Sequence, residues 1–355
     1  MNSNNKSAVL ITAIGGGGYG GQILKALRLI PEQQYVLVGA DAAEHCPQFR
    51  DVEHTCRLPL ARDPGYLTAL FKLCDRYRIR VVFPGCEPEL KLMSAAKAEF
   101  ESRGILLMAA EHTFIELCLN KERTNQRLAE LGYAAPRHLN VTNREALAAV
   151  DWFPVVVKPS VGAGGSANCF IAQNQTELMA LCDYLGLENI AGSFIVQEYV
   201  GTPEEEYTVG VLHDLDGNYI NSIAVRRLMS GQLNIRSSVL NRTGEQRFGP
   251  RLVISSGVSQ GYVGRFESVT CQCRDIAAAL SARGAINIQC RLVDGVVKVF
   301  EINPRFSGTT SIRAMVGYNE PGVLLCHHLM GEPVEVDFPY EEGVVLRELR
   351  EFRVS

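Results

Sequence analysis

Ala285-Ile286-Asn287-Ile288-Gln289-Cys290-Arg291-Leu292-Val293-Asp294-Gly295-Val296-Val297-Lys298-Val299-Phe300-Glu301-Ile302-Asn303-Pro304-Arg305 is the stretch whose reading decides the fold. Two β-branched runs, 285–292 and 296–303, flank Val293-Asp294-Gly295, which is a hairpin signal. Glu301 and Asn303 are two apart and share one face of their strand. Gln289 joins that face only if the connection has an odd number of residues, as in a type I turn ending with Gly295 in the left-handed region. Three oxygen-bearing side chains then converge, which suits Mg²⁺, a hard cation that takes carboxylate and amide oxygens and completes its shell with phosphate. Pro304 stops the strand, and Arg305 follows as a planar cation suited to a phosphate.

The rest of the chain bounds this reading. Its 355 residues suffice for two or three globular units, and 46% hydrophobic residues allow sizeable cores. A formal net charge of −4 with intermixed signs excludes the basic footprint of a nucleic-acid binder. Met1–Ser7 is polar and precedes a single strand-length apolar run, so neither a signal peptide nor a membrane span is expected. Eleven cysteines without framework spacing fit a reducing cytoplasm; His45-Cys46 and His54-x-Cys56 match no common zinc spacing.

Ala8–Ile14 reads as a buried strand, followed by Gly15-Gly16-Gly17-Gly18-Tyr19-Gly20-Gly21, a helix from Gln22 to Leu29 and a second strand, Tyr35–Ala40, ending at Asp41. Gly16-x-Gly18-x-x-Gly21 with an acid about twenty residues on satisfies the dinucleotide fingerprint. The rival function is therefore a nicotinamide-dependent enzyme with Asp41 on the ribose; the plainer reading is a tight turn that binds no nucleotide. A helix from Gly65 to Tyr77 leads to a strand, Arg80–Pro84, whose carboxyl end carries Glu87 and Glu89. These two either hold a substrate amine or favour the start of the next helix.

From Thr113 a helical run centred on Asn120-Lys121-Glu122-Arg123-Thr124 ends at Gly132 and Pro136. Strand Phe153–Pro159 contains Lys158 and precedes Ser160-Val161-Gly162-Ala163-Gly164-Gly165-Ser166, a small-residue loop that can approach phosphates closely. It is no Walker loop, because Lys158 precedes the glycines and lies on a strand. Further on come an apolar strand, Phe194–Val200, and the acidic run Glu204–Glu206, which opens another strand. Arg226 and Arg227 end a strand that follows the Asp216-Gly217 turn, and 230–260 reads as a mobile loop. A helix from Val269 to Arg283 precedes the hairpin; after it, Phe306–Ser311 is a turn into a helix, with amides at Gly308 and Thr309 that can face an anion. A helix, Pro321–Leu329, and a strand near Val344–Phe352 close the chain.

Together, Gln289, Glu301, Asn303 and Arg305 resemble the metal-binding end of an ATP-grasp enzyme, in which E-x-N-P-R closes the second magnesium strand. The unit is most similar to the ATP-grasp half of the carbamoyl phosphate synthase large subunit, where a Gln also takes the first metal position. The resemblance spans Ala110–Met330 and implies an α/β chain: a Rossmann-like N-terminal domain (1–112) followed by two α+β subdomains that clamp ATP, the smaller at 113–200 and the C-terminal one at 201–355. It implies that Lys121, Lys158, Gly162, Gly164, Gly165 and Ser166 meet the triphosphate. Gln197, the Glu198 carbonyl and the Val200 amide are placed at adenine, Glu206 at the ribose, and Arg305 with Lys158 at the transferring phosphoryl. Substrate contacts are expected from Glu87, Glu89, Arg226, Arg227, Gly308 and Thr309. The implied cofactors are ATP and Mg²⁺, two ions with Mn²⁺ as a substitute; the partners are a small carboxylate, with amino acids among the candidates, and an amine, with a homodimer as the assembly and no nucleic acid or membrane. The implied reaction is ADP-forming carboxylate activation through an acyl phosphate. Size sets the chain apart from carbamoyl phosphate synthase, since one grasp unit cannot perform two phosphorylations in separate halves. A regulator that binds nucleotide without catalysis would lack metal ligands, and none is missing.

Overall fold

The computed structural model describes residues 6–351 and 353 apart from 16, 17, 32, 162–165, 188–191, 231 and 232. Short hydrophobic strands alternating with helices build the first unit: β1 (Ser7–Ile11), α1 (Gly20–Arg28), β2 (Tyr35–Asp41), β3 (His54–Arg57), α2 (Tyr66–Tyr77), β4 (Ile79–Phe83), α3 (Glu87–Ala95), α4 (Lys97–Ser102) and β5 (Leu106–Leu107). The strands form one parallel sheet in the order β3-β2-β1-β4-β5, with β1 central and wholly apolar at Val9, Leu10 and Ile11.

Two helices connect this unit to the next, α5 (His112–Leu119) and α6 (Lys121–Glu130). The continuous helical run expected here is broken at Asn120, whose extended backbone and side chain cap the second helix through the Arg123 amide. Lys121 consequently stands at the first turn of α6, and Asn120 pairs as a β-bridge with Val161 at the edge of the glycine-rich loop.

The small subdomain is an antiparallel sheet, β6-β9-β7-β8, built from β6 (His138–Asn140), β7 (Val155–Pro159), β8 (Phe170–Ala172) and β9 (Phe194–Glu198), with α7 (Arg144–Ala148) and α8 (Gln175–Leu185). It owns a separate apolar core around Leu147, Val155, Val157, Leu178 and Val196. The large sheet has the order β16-β15-β10-β11-β14-β17, from β10 (Glu206–His213), β11 (Tyr219–Arg227), β14 (Gly261–Gly264), β15 (Ala285–Val293), β16 (Val296–Asn303) and β17 (Gly343–Val345). Segment 230–260, expected as a mobile loop, instead contains an antiparallel ribbon, β12 (Ile235–Leu240) with β13 (Arg251–Ser255). Its anchors are Gln173, which bonds the Leu240 carbonyl and the Arg242 amide, and Tyr199, which bonds Val253. The last strand is only three residues long.

Helix α9 (Glu267–Ala279) covers the outer face of the large sheet, while α10 (Thr310–Ala314) and α11 (Glu320–Met330) cover the other. One apolar cluster runs from the parallel sheet through Phe114, Ile115, Cys118 and Leu128 of the linker helices to Val209, Ile288 and Val299. The first unit and the large sheet thus share cores, whereas the small subdomain packs largely on itself. Among the described residues no helix is long and apolar enough to cross a membrane.

Candidate functional site

The β15–β16 hairpin brings its polar side chains together by a different route from the one its turn residues suggest. The connection is Asp294-Gly295 alone, both at positive φ, which is a two-residue turn and not the three-residue one expected. Such a turn would pair Gln289 with Phe300. A β-bulge corrects the register: Cys290 pairs with Val299, Gln289 pairs with Glu301, and Phe300 is the extra residue. Asn287 and Asn303 form the next pair. Because residues paired across an antiparallel ladder point the same way, Gln289 and Glu301 share a face.

That face forms one wall of a cleft of about 700 Å³, including its open mouth, between the small subdomain, the ribbon and the large sheet. Lys121, Lys158, Ser166, Gln197, Glu198, Val200, Glu206, Gln289 and Glu301 all line it, so nine of the residues singled out from sequence meet in one place. Gly162, Gly164 and Gly165 lie outside the described residues. The size falls within the usual range for a small-molecule site.

Lys158 joins the two subdomains across this cleft. Its buried Nζ donates to Gln197 Oε1 at 2.7 Å and to the bulge carbonyl of Phe300 at 2.9 Å. Burial, reinforced by the nearby charge of Lys121 and opposed by Glu301, pushes its ammonium down to about 8. With Gln197 Oε1 occupied, the Nε2 of this 2%-exposed side chain has no partner. It presents a donor, so at adenine, where the resemblance places Gln197, it suits a ring-nitrogen acceptor and not the exocyclic amine.

Glu206 is equally buried and holds Arg291, whose Nε and Nη2 donate to Glu206 Oε2 at 3.1 and 2.9 Å. Its other oxygen lies 3.6 Å from Arg227 and accepts no hydrogen bond. Arg291 escaped the sequence reading because it looks like an ordinary strand residue. It donates to the Val200 carbonyl and to the Val253 carbonyl, both at 3.0 Å, and stacks over Tyr199, so it fixes the end of β9, the ribbon and Glu206 together. Cys169, Val156 and Ser255 of the lining were also missed.

The carboxylate of Glu301 and the amide of Gln289 make no hydrogen bond or ion pair to another described residue, and both line the cleft. No group of three or more His, Cys, Asp or Glu side chains suited to a metal occurs among the described residues. A donor set of one carboxylate plus amide oxygens fits Mg²⁺, which is bound by one or two carboxylates when phosphates supply other ligands. Asn303 is 2% exposed and its Oδ1 already accepts from Arg305 Nη2 at 3.0 Å.

The remaining candidates are not part of the cleft lining. Arg305 donates to Glu87 Oε1 at 2.6 Å and stacks on Tyr19 of the first unit, so a predicted phosphoryl-binding cation and a predicted amine-binding acid form one ion pair between units. Burial alone would raise the Glu87 carboxyl, but Arg305, with Lys121 farther off, holds it below the usual range. Glu89 does not reach any cleft: its oxygens accept from Thr12 Oγ1 at 2.6 Å and Tyr66 OH at 2.7 Å inside the first unit. Burial raises its carboxyl despite those bonds. Arg226 lies over Tyr262 and Phe266 on the outer face, whereas Arg227 donates to the Ser256 carbonyl at 2.7 Å. Thr309 is 1% exposed and bonded to Ser307 at 2.6 Å, and the Gly308 carbonyl accepts from Arg347.

In the glycine turn after β1, of which Gly16 and Gly17 lie outside the described residues, Asp41 and the Gly15, Tyr19 and Gly20 amides are paired within the chain, while the buried Tyr19 hydroxyl has no hydrogen-bond partner. Asp41 accepts from Gly15 and Ala43 amides, each at 2.8 Å, and the Gly85 carbonyl accepts from Tyr19 and Gly20 at 2.9 and 3.1 Å. A Cβ on Gly18 would fall 2.5 Å from that carbonyl, and one on Gly85 would fall 1.8 Å from the Thr12 carbonyl. Glycine is required here because two loops of the sheet touch backbone to backbone.

Residues 9–108 match the family described as PylC-like, N-terminal domain, and residues 253–352 match ATP-grasp in the biosynthetic pathway with Ter operon. The carbamoyl phosphate synthase large chain of Thermoplasma acidophilum is 24% identical over 258 residues, covering 70% of this chain but 23% of its own length. Among solved structures, the biotin carboxylase domain of Hydrogenobacter thermophilus 2-oxoglutarate carboxylase, determined with MgADP, ADP and bicarbonate, superimposes with a TM-score of 0.65 at 17% identity, covering 93% of this chain and 71% of that one. The L-amino acid ligase of Bacillus licheniformis gives 0.63 at 18% identity, covering 94% and 76%. An N-terminal parallel sheet followed by two antiparallel sheets that enclose a lysine- and carboxylate-lined cleft is the ATP-grasp arrangement, and the chain has the ATP-grasp fold, with its first unit similar to a PylC-like N-terminal domain.

Proposed function

We propose that the chain is an ADP-forming carboxylate–amine ligase whose nucleotide lies in the cleft between β7, β9 and the β15–β16 hairpin. The observation that carries this reading is the bulge at Phe300, which sets Gln289 opposite Glu301 while its carbonyl holds Lys158. The match of residues 253–352 to an ATP-grasp family and the nucleotide bound by the structurally similar biotin carboxylase domain of 2-oxoglutarate carboxylase support it. The chain spans 23% of the length of the synthase relative, so its reaction is argued from its own site.

In this reading the Glu198 carbonyl and the Val200 amide meet adenine, and Glu206 Oε1, which faces Arg227 but accepts no hydrogen bond in the chain, accepts from a ribose hydroxyl. Lys121 and Lys158 neutralise phosphate charge, with Ser166 beside them in the lining. Glu301 and Gln289, with Asn303 behind them, would hold Mg²⁺, two ions or one, with Mn²⁺ able to substitute; the metal supplies charge neutralisation between phosphate groups. A substrate carboxylate oxygen attacks the γ-phosphorus, the bond to the β-phosphate oxygen breaks, and ADP leaves. An amine then adds to the acyl phosphate carbonyl, phosphate departs with the bonding pair, and the proton lost by the amine nitrogen passes to the departing phosphate. Arg305 stabilises the transferring phosphoryl once Glu87 turns to a substrate amine. No nucleophilic side chain is required.

The alternative, a nicotinamide-dependent enzyme, is disfavoured because Asp41 and the first amides of α1 are bonded to the chain's own backbone. The test is ADP release on a panel of amino acids and other small carboxylates with amines. Release that depends on a carboxylate and an amine supports the ligase, and its absence across the panel, with MgATP bound, contradicts it.

A further inference from the structure

Among the described residues, Arg227, Arg291, Arg305, Arg313 and Arg347 are largely withdrawn from water, and four of the five have a carboxylate. Arg227 and Arg291 face Glu206, Arg305 faces Glu87, and Arg313 faces Glu320. Arg347 does not. Its Nε donates to the Ser259 carbonyl at 2.8 Å, Nη1 to Gln22 Oε1 at 3.1 Å, and Nη2 to the Gly308 carbonyl and, at 3.5 Å, to Ser311 Oγ. Every acceptor is neutral, and among the described residues no carboxylate is within ion-pair distance. Burial alone lowers its affinity for the proton. An uncompensated cation held partly out of water is costly unless an anion joins it.

The surroundings add positive charge. Lys25, one turn beyond Gln22 on α1, loses proton affinity first through burial and then through the charge of Arg347, with Asp51 opposing. Arg305 stacks on Tyr19 at 4.6 Å, and Tyr19 and Gln22 are three residues apart, roughly 5 Å along the helix. Arg347 and Gln22 keep partial exposure, and Lys25 is exposed. Two carbonyls fix the guanidinium, while the Gln22 and Ser311 contacts are ones that a carboxylate can replace.

We infer that Arg347, with Lys25 beside it, receives the unreacting carboxylate of the amine substrate, so that the acceptor in this ligase is an amino acid. The inference rests on the proposed ligase reading for the word acceptor. The carboxylate that is phosphorylated must reach Glu301 and the cleft, whereas Arg347 does not line that cleft and is bonded to Gln22 of α1 and to the Gly308 carbonyl, three residues after Arg305. An anion there belongs to a group that is held and not activated.

The experiment uses the full chain and measures melting temperature with and without MgADP, in the presence of each of the twenty amino acids and of its carboxamide. At least one amino acid raises the melting temperature of the wild type, and its carboxamide does not. Arg347→Gln loses that shift while keeping the MgADP shift, which corresponds to a roughly 10- to 100-fold weaker amino acid. Lys25→Gln, which breaks none of the Arg347 bonds, weakens the same amino acid severalfold and serves if the first variant does not fold. A shift that survives in both variants, a carboxamide as effective as its acid, or no amino-acid shift in the wild type overturns the inference. A purely structural clamp would lower the melting temperature of the unliganded Arg347→Gln protein and leave the amino-acid shift intact. Loss of the MgADP shift in the wild type would instead contradict the nucleotide reading, with the amino-acid arm still read without nucleotide.

Discussion

The turn after β1 and the cleft beside β16 are made of similar materials, glycines, backbone amides and an acid, yet their polar groups meet different fates. In the turn, Asp41 closes on Gly15, and the Gly85 carbonyl takes the first amides of α1. In the cleft, Gln197 Nε2 and Glu206 Oε1 are buried without a hydrogen-bond partner, and Gln289 and Glu301 face the space. A buried polar atom without a partner costs free energy, roughly 1–3 kcal/mol, so its retention points to a ligand. Glycine spacing reports a close backbone approach, and only the partners reveal whether the approaching group is a phosphate or another loop.

The comparison breaks most readily at Glu301. Glu301→Ala should reduce ADP formation by roughly 10²- to 10³-fold or more while leaving the circular dichroism spectrum and melting curve near wild type. Near-wild-type turnover in a folded variant would remove the hairpin from the mechanism. Next in size is the pH response of nucleotide binding. Lys158 is charged below about 8 and loses its proton as pH rises through that value, so ATP affinity measured by calorimetry should weaken from pH 7 to pH 9. Lys158→Gln should bind ATP more weakly and flatten that dependence, and a dependence that persists in the variant would assign the titration to another group.

In the turn, the expected effects are on stability. Gly85→Ala places a Cβ 1.8 Å from the Thr12 carbonyl and should cost about 1–3 kcal/mol, read by chemical denaturation, with ATP affinity unchanged once folded. A variant of normal stability that no longer binds ATP would move the nucleotide to the first unit. The smallest effect belongs to Glu89→Gln. Its two hydroxyl partners lie inside the first unit, so the melting temperature should fall slightly and substrate KM should stay fixed. A raised KM for an amine substrate would place Glu89 in the site after all.

Much of this was legible in the sequence where chemistry follows from residue type and short spacing. The hairpin between 285 and 303, the strand-borne Lys158 and the Glu301-x-Asn303 face all meet that condition, whereas the turn is one residue shorter than expected. The bulge at Phe300 was not legible, because neither Gly nor Pro marks it and register is decided by packing on both faces. Glu87 and Glu89 shared one pattern, yet one faces Arg305 and the other Tyr66; their separation depends on which side of a single helical turn meets the parallel sheet. The helix break at Asn120 carried a signal that was passed over, an N-cap residue ahead of an acidic first turn. Arg291 and Arg347 had none, since their roles arise from partners at 206 and 22, far away in sequence.

The most direct measurement titrates the wild-type chain with MgATP and, separately, with NADH and NADPH, and follows melting temperature and heat of binding. The account predicts a concentration-dependent shift with MgATP, lost in Glu301→Ala, and none with either dinucleotide. A shift with a dinucleotide and none with MgATP would contradict it.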